Sequence, residues 1–351
     1  MGNRHEFKPI NNVYEEIYEE LDKRTLSGFG GVAEYGITIR WDKNFLKIIR
    51  LLIERRDNFR MYGGIRFGSN ITYEQAFQMG FDHIALAIGA GKPNILDVPN
   101  GLCRGVRTAS DFLMSLQLTG AGKFDSLANL QIRLPIMVIG GGLTGVDTTT
   151  ESLAYYSVQV EKFLKRYEVL VKNFGEEQVT KNWTKEEYEI ANEFITHAKL
   201  IRAEIEQAII EHREADIISL LKIWGGATLA YRRNLIDSPS YRLNHEEVEK
   251  ALEEGIYFLE NATPLEFITD DYGHVKSIKL SIKETRDGVE TVEEKILPAK
   301  TILVATGTNP NTILNSEEGE QFKLDGKYFQ AINTNREKVE PEWSAKPKNH
   351  T

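Results

Sequence analysis

The sequence predicts an α/β fold in which one domain with a parallel sheet is inserted into another and carries a helical insertion of its own. Three apolar runs, Ile84–Ile88, Leu134–Ile139 and Thr301–Ala305, each end in small residues and glycine. Continuous apolar runs of this length are typical of parallel strands that are buried on both faces. Residues 155–224, in contrast, are charged, nearly free of glycine and helical in their apolar periodicity.

The composition is that of a globular protein with room for about two domains. The chain has 351 residues, 41% hydrophobic and 27% charged, and its 43 basic and 52 acidic residues give a net charge of −9. Such a charge gives no general attraction to nucleic acid or anionic lipid. The single cysteine, Cys103, excludes a disulfide framework within the chain and is expected to be a small loop residue. Because no apolar run is long enough to span a membrane and no secretory signal is present, we expect a cytoplasmic protein.

The N-terminal part is expected to hold helices and a turn before the first strand. An amphipathic helix is predicted over Val13–Arg24, and a glycine-rich turn over Gly28–Gly36. A second helix is predicted where Asp42 precedes the apolar residues of 45–53. The first apolar run follows and is predicted to be a buried strand.

The clearest motif follows the second apolar run. Gly140, Gly142 and Gly145 form a G-x-G-x-x-G turn that opens a predicted helix. In such a unit the first glycine makes the tight turn, the second lets the backbone approach a pyrophosphate, and the third allows the helix to pack closely on the strand. The pyrophosphate would bind N–H groups at the helix start, where Leu143 and Thr144 lie. We therefore expect a Rossmann-like site for NAD(P), although glycine turns without a ligand are common.

A basic pair follows the next strand of this unit. If the helical insertion is cut out, the second strand is Ala227–Tyr231, and Arg232 and Arg233 follow it. An acidic residue at this point would accept a hydrogen bond from the 2′-hydroxyl of NAD, whereas two arginines offer bidentate donors to a 2′-phosphate. We therefore expect a preference for NADP(H). The alternative is a solvated basic pair at the end of a strand.

The remaining elements continue the α/β pattern. The helical insertion is predicted to bend between Gly175 and Thr184, with Thr184 capping its second helix, and to contribute no phosphate-binding residue. Asn244 and Glu247 predict a capping box. Further strands are predicted at Tyr257–Leu259, Phe267–Thr269 and Val275–Ile282.

The first and third apolar runs end in similar turns, at Gly89 and Gly307, each with a proline a few residues later. Their positions on either side of the glycine motif predict the crossovers between two domains, although two ordinary strand ends would look the same. Gly28–Ala33 also fits G-x-G-x-x-A, but it follows a charged helix end and not an apolar strand. We therefore expect no phosphate-binding turn there.

The order of these segments resembles the glutamate synthase small-subunit (beta) family of FAD- and NAD(P)-dependent oxidoreductases. The matching segments are GGVAEYGI at 30–37, LAIGAGKP at 86–93, VIGGGLTGVD at 138–147, AYRR at 230–233, LNHEEVEKALEEG at 243–255 and VATGTNPN at 304–311. The resemblance implies that NADPH reduces FAD and that electrons pass on to iron–sulfur clusters or a partner subunit. It places Gly30, Gly31, Gly36, Gly89 and Gly307 on the FAD side, and Gly140, Gly142, Gly145, Arg232 and Arg233 at NADPH.

The sequence departs from that family at both ends of the FAD domain. It has no strand with a G-x-G-x-x-G unit upstream of Gly30, no Gly-Asp turn after residue 310 and no N-terminal cysteines for clusters. We therefore expect an internal part of a larger flavoenzyme in which both ends of the FAD domain are lost or supplied elsewhere. By itself it is expected to hold FAD weakly or not at all, and a second chain could complete the FAD domain or accept the electrons. The alternative is a non-catalytic nucleotide-binding remnant, and the colour of the purified protein would distinguish the two.

The resemblance completes the predicted organisation, a Rossmann-like NAD(P)-binding domain inserted in a partial FAD-binding domain, with a helical-hairpin insertion. The predicted parts are an N-terminal helical extension at 1–25, a partial FAD-binding-type domain at 26–130, the NAD(P)-binding domain at 131–154 and 225–299, the helical insertion at 155–224, and a return to the FAD-type domain with a polar tail at 300–351. His197 and His212 are expected on helix surfaces. Asp147 is expected to be structural, with a position facing the nicotinamide as the alternative.

Overall fold

The chain divides into two compact units. A computed structural model describes residues 46–90, 92–286 and 289–340. Among the described residues, the larger unit comprises 46–55 and 95–307, and the smaller unit comprises 56–94 and 308–340.

The described residues form strands and helices that are numbered here along the chain. The strands are β1 (Lys92–Pro93), β2 (Val106–Thr108), β3 (Ile136–Ile139), β4 (Ala227–Ala230), β5 (Tyr257–Leu259), β6 (Ala262–Thr269), β7 (Val275–Arg286), β8 (Val289–Pro298), β9 (Thr301–Val304), β10 (Thr308–Asn309), β11 (Leu324–Asp325) and β12 (Tyr328–Phe329). The helices are α1 (Leu46–Glu54), α2 (Tyr73–Gln78), α3 (Ala109–Leu118), α4 (Leu143–Phe174), α5 (Glu176–Thr180), α6 (Lys185–Glu211), α7 (Ile217–Ile223), α8 (Pro239–Leu243), α9 (His245–Glu253) and α10 (Ile313–Glu317).

The larger unit is built on a five-stranded sheet in the order β2-β9-β3-β4-β5. Its neighbouring strands pair in parallel, with Ile136 of β3 opposite Ala227 of β4 on one side and Thr301 of β9 on the other. Because the strands run in parallel, their carboxyl ends meet at one edge of the sheet. The predicted α/β class with a parallel sheet is thereby confirmed.

Both faces of this sheet are covered. Ile136 and Val138 of β3 pack into a core formed with the helices, whereas Met137 and Ile139 pack into a second core against the antiparallel sheet β6-β7-β8. A strand with two covered faces has no position that favours a polar side chain, which explains the continuous apolar run in the sequence.

Residues 155–224 are mostly helical, as their periodicity predicts. Helix α4 starts at the glycine turn and continues without a break over 32 residues to Phe174. Gly175, with φ of +78°, makes the predicted bend, and Thr184 caps α6 in a reciprocal capping box with Glu187. The segment therefore begins as an extension of the helix that opens at the glycine motif.

The smaller unit has little regular structure. Thr72 caps α2, and the short strands form the pairs β1–β10 and β11–β12. Phe322 packs edge-on against Phe67 and Tyr73, with ring centroids 6.4 and 5.7 Å apart. The Glu318 carboxylate accepts hydrogen bonds from the backbone N–H of Tyr73 at 2.9 and 3.2 Å.

Two predictions of local structure are wrong. Residues 84–88 form no strand, and Leu86 is 38% exposed, because no strand of the described chain lies beside them to pair with. Asn244 makes no capping hydrogen bond to the backbone, since its side-chain amide donates instead to Glu247 Oε1 at 2.7 Å. The predicted helix at 13–24 lies outside the described residues, and the proposed domain boundaries stay predictions.

Candidate functional site

The glycine turn lies at the carboxyl edge of the sheet, between the ends of β4 and β9. The backbone N–H of Gly140 donates to the carbonyl oxygen of Ala230 at 3.0 Å, and that of Ala305 donates to the carbonyl oxygen of Ile139 at 2.7 Å. Crevices at this edge, where neighbouring strands lead away in different directions, are where open α/β sheets bind their ligands.

Two glycines of the motif are required by the fold itself. Gly140 has φ of +144°, and a Cβ there would lie 2.2 Å from the carbonyl oxygen of Ala305. A Cβ at Gly145 would lie 2.7 Å from the carbonyl oxygen of Gly140 and 3.1 Å from Leu229 Cδ1. The first glycine therefore allows the tight turn, and the last allows α4 to approach the neighbouring strand closely.

Gly142 is different, because its surroundings are open. A Cβ at this position would meet nothing within 4 Å, and its φ of −89° suits any residue. Gly142 is the N-cap of α4 and has no side chain to accept a hydrogen bond from the first turn. The N–H groups of Leu143 and Thr144 are among those that a helix cannot satisfy internally. N–H groups at a helix start are able to bind an anionic group.

The two arginines lie beside this turn. Arg232 and Arg233 follow β4 directly after Tyr231, are exposed, and make no ion pair with any carboxylate in the part of the chain that the structure describes. Their backbone is held in place, since Asn261 donates its N–H to the carbonyl oxygen of Arg233 at 3.1 Å and Ala262 donates to that of Tyr231 at 2.9 Å. The guanidinium groups are therefore positioned by a fixed loop while remaining accessible.

The sequence did not predict the residues outside the glycine motif that pack on its turn and hydrogen-bond to it. A Cβ at Gly141 would lie 2.3 Å from the ring of Tyr231, so this ring packs directly on the turn. The backbone N–H of Ser240 donates to the carbonyl oxygen of Gly141 at 3.1 Å, and Ser238 and Ser240 are fully buried with their hydroxyls 3.0 Å apart. The only signal in the sequence was the two serines that flank Pro239 at the start of a helix.

The glycines assigned to the FAD side are not brought into one phosphate-binding turn within the described residues. Gly307, with φ of +98°, turns the chain after β9. In the smaller unit Gly89, with φ of +70°, accepts a hydrogen bond from the N–H of Asn311 at 3.0 Å. Gly30, Gly31 and Gly36 lie outside the described residues.

A second polar cluster lies where α4 and α6 meet, and it corrects the prediction that His197 is a surface residue. His197 is half-buried, its ring stacks on Trp224 at 3.8 Å, and its Nδ1 lies 2.6 Å from the Tyr156 hydroxyl. Burial lowers the pKa of His197 to about 4. The imidazole is therefore neutral at physiological pH. His212, in contrast, is exposed at the end of α6, as predicted.

An ion-pair network adjoins this cluster. The carboxylate of Glu193 accepts two hydrogen bonds from Arg133 at 2.7 and 3.2 Å and one from Lys300 at 2.6 Å. Burial opposes ionisation of Glu193, but the hydrogen bonds from Arg133 and Lys300 outweigh it and hold the pKa below its usual value. The network ties α6 to the residues that precede β3 and β9.

Two further side chains that could be reactive, Cys103 and Asp147, lie in the described part of the chain. Burial raises the pKa of the Cys103 thiol, which keeps it protonated. Asp147 is 1% exposed, inside the fold rather than on the helix surface. Across the described ranges there is no cluster of three metal-ligating side chains, and none of the helices there is both long and apolar enough to cross a bilayer.

Comparisons with known proteins find both similar sequences and similar solved structures. No protein-family model matches it. It is 44% identical over 340 residues to the uncharacterized protein RP006 of Rickettsia prowazekii, a match that covers 93% of this chain and 46% of that protein. The chain thus spans about half the length of this relative.

Several solved structures are also similar at low identity. FprA, an oxidoreductase of Mycobacterium tuberculosis that has been solved in complex with NADPH, is 14% identical, with a TM-score of 0.44 over 82% of this chain and 63% of its own. A 2-naphthoyl-CoA reductase is 13% identical, with a TM-score of 0.41 over 82% of this chain and 29% of its own. At such values the function of this chain has to be interpreted from its own geometry.

Proposed function

We propose that this chain binds NADPH at the turn between β3 and α4 and is the nicotinamide-nucleotide half of a flavin-dependent oxidoreductase. The observation that carries the proposal is the open space at Gly142, which lies between a turn that only glycine can form and a pair of accessible arginines. A pyrophosphate fits this space because backbone N–H groups and the positive end of the helix dipole face it.

The arginines favour NADPH over NADH. Arg232 and Arg233 would bind the 2′-phosphate, since a guanidinium offers paired N–H donors that match phosphate oxygens. The fixed backbone of Tyr231 and Arg233 supports this role, because a loop that is already ordered loses little entropy when the nucleotide binds.

The redox chemistry requires a second group. NADPH supplies a hydride when it is bound, and protein side chains do not accept hydrides. The resemblance to the glutamate synthase small-subunit family suggests FAD as the acceptor and a partner chain as the next electron carrier. The described residues contain no second strand–glycine turn–helix unit that would hold FAD, so completion of the FAD site by another chain is part of the proposal.

Calorimetric titration with both nucleotides tests the preference. We expect the wild-type protein to bind NADPH about tenfold to a hundredfold more tightly than NADH, the effect of roughly 1.5–3 kcal/mol for hydrogen bonds to charged groups. In the double variant Arg232→Ala/Arg233→Ala the two affinities should become equal. The adjacent exposed pair Arg55→Ala/Arg56→Ala makes the same change in net charge and should keep the preference. Equal affinities of the wild-type protein for NADPH and NADH would contradict the proposed preference for NADPH.

The variant Gly142→Ala tests the position of the pyrophosphate. Its Cβ would enter space that the protein leaves open, so the unfolding temperature should not change, while the affinity for both nucleotides should fall at least about tenfold. Gly63→Ala is the matched control, because a Cβ there also meets nothing within 4 Å. Unchanged nucleotide binding in Gly142→Ala would show that the pyrophosphate does not lie at this turn.

A non-catalytic nucleotide-binding module is the second candidate. The observation that favours it is the unpaired, largely exposed segment Ile84–Ile88, which the resemblance assigns to the FAD side. Incubation with FAD, followed by gel filtration and an assay of NADPH-dependent dye reduction, separates the two functions. Little retained flavin without a partner agrees with both, whereas flavin retention and dye reduction that appear on adding a partner chain would establish the oxidoreductase.

A further inference from the structure

A pocket of about 180 Å³ lies between the middle of α4, the loop that precedes β3, and the segment around α5. About 30 Å of helix separates Lys162, which lines it, from Gly142 at the nucleotide turn. Its volume is slightly larger than the ~150 Å³ cavity that accommodates benzene in an engineered protein core. The pocket is therefore separate from the nucleotide site and has the size of a ligand with one aromatic ring.

The walls of the pocket are aromatic. Phe163 and Tyr167 of α4 face it, together with Trp183, whose ring centroid lies 6.0 Å from that of Tyr167. Tyr155 also lines it, and its hydroxyl already accepts a hydrogen bond from the N–H of Leu130 at 3.0 Å. The wall thus offers ring surfaces rather than unsatisfied polar atoms, which favours a flat apolar body.

Two cations line the same pocket. Lys162 is only 3% exposed, and its Nζ donates to the carbonyl oxygens of Ala121 at 2.7 Å and Ala128 at 3.2 Å. Arg166 donates to the backbone carbonyl oxygen of Ser126 and, at 3.5 Å in each case, to those of Phe124 and Leu127. An ammonium has three donors, and these two bonds use two of them.

The charges of these two side chains are not balanced by a bonded carboxylate. Neither Lys162 nor Arg166 forms an ion pair within the described ranges, and no acidic residue lines the pocket. Burial and, next, the positive charge of Arg166 lower the pKa of Lys162 to about 8, while Asp125 acts in the opposite direction. An anion in the pocket would interact favourably with both cations, whose mutual repulsion the fold otherwise tolerates.

We propose that this pocket binds a small aromatic carboxylate, with its ring among Phe163, Tyr167 and Trp183 and its carboxylate on Lys162. The site is independent of the nucleotide site, so either proposal can fail without the other. The aromatic walls favour a ligand with a ring. The buried ammonium of Lys162, which has one donor beyond its two bonds to carbonyl oxygens, favours a ligand with a negative charge.

Titration calorimetry with three probes tests both parts of the proposal. Benzoate carries the ring and the charge, benzamide carries the ring alone, and inorganic phosphate carries charge alone. We expect benzoate to bind about tenfold to a hundredfold more tightly than benzamide, as a charge-assisted hydrogen bond predicts, and phosphate to bind more weakly than benzoate. No binding of benzoate, or equal binding of benzoate and benzamide or of benzoate and phosphate, would overturn the proposal.

Variants locate the site. Lys162→Met should remove the preference for benzoate over benzamide, whereas the same change at Lys199, an exposed residue of α6, should leave it intact. Ala128→Phe would fill the pocket from the loop side and should abolish binding of both ring compounds. If Lys162→Met does not fold, the variant Ala128→Phe still tests where benzoate binds. Undiminished benzoate binding by Ala128→Phe would contradict the assigned location.

Discussion

The start of α4 and the contact between its middle and α6 use their polar groups in opposite ways. At the start of the helix, Gly142 leaves an open space, and Arg232 and Arg233 beside it remain accessible. Further along, Tyr156 meets His197, and Glu193 accepts hydrogen bonds from two cations at once. Polar groups that are buried without hydrogen-bond partners destabilise a protein. A cluster whose members bond to one another therefore stabilises the fold, whereas polar groups that stay accessible and unbonded are available to a ligand.

The variant Gly140→Ala should have the largest effect and would test the closed part of the glycine turn. Its Cβ would overlap the carbonyl oxygen of Ala305, and alanine disfavours the φ of +144°. We expect the free energy of unfolding to fall by about 2–4 kcal/mol in urea denaturation, from backbone strain and overpacking. Gly142→Ala, two residues along, should change it by less than about 0.5 kcal/mol. Equal stability of the two variants would remove the distinction between these glycines.

The variant Glu193→Gln would test the ion-pair network of Glu193, Arg133 and Lys300. It removes the charge that both Arg133 and Lys300 face, and we expect the free energy of unfolding to fall by about 2–3 kcal/mol. Nucleotide affinity should stay within a few-fold, because the network lies at the opposite edge of the sheet from the glycine turn. Glu189→Gln is the control, since Glu189 lies on the same helix but is half exposed. A large loss of nucleotide affinity in Glu193→Gln would show that the two clusters are coupled.

The smallest expected change in the free energy of unfolding comes from lowering the pH, through His197. The pKa of His197 is about 4 in the folded chain, because burial disfavours the imidazolium, and an unfolded histidine has a pKa of about 6.5. Between these values the unfolded chain binds more protons, so stability should fall as the pH falls from about 6.5 to 4, by about 1–3 kcal/mol in all. His197→Gln should lose this part of the pH dependence, and His212→Gln, at an exposed site, should keep it. The same pH profile in all three proteins would contradict the burial of His197.

The sequence could predict the glycine turn because the turn is a local structure. The strand, the three glycines and the helix start all lie within one short segment, and each residue type has its own steric reason. The residues that cover the turn could not be found in this way. Tyr231 and Ser240 approach Gly141 from a different part of the chain, and no spacing rule connects them.

The two similar apolar runs show where sequence reasoning fails. Thr301–Ala305 supplies β9, beside β3 in the sheet, whereas Ile84–Ile88 forms no strand although its pattern is nearly the same. An apolar run indicates a segment that gains from burial, but a strand also needs neighbours that accept its backbone hydrogen bonds. Those neighbours are set by the long-range topology. For the same reason His197 looked like a surface residue, because Trp224 and Tyr156 reach it only through the packing of separate helices.

The pairing of β3 with β9 also has a consequence for synthesis. Arg133, just before β3, and Thr301, at the start of β9, exchange hydrogen bonds across a separation of 168 positions. A nascent chain that has not yet reached residue 305 therefore carries the whole glycine motif and both arginines but lacks the strand that walls the turn. Because β9 is among the last parts of the larger unit to be synthesised, the proposed nucleotide site is completed only after nearly all of that unit has left the ribosome.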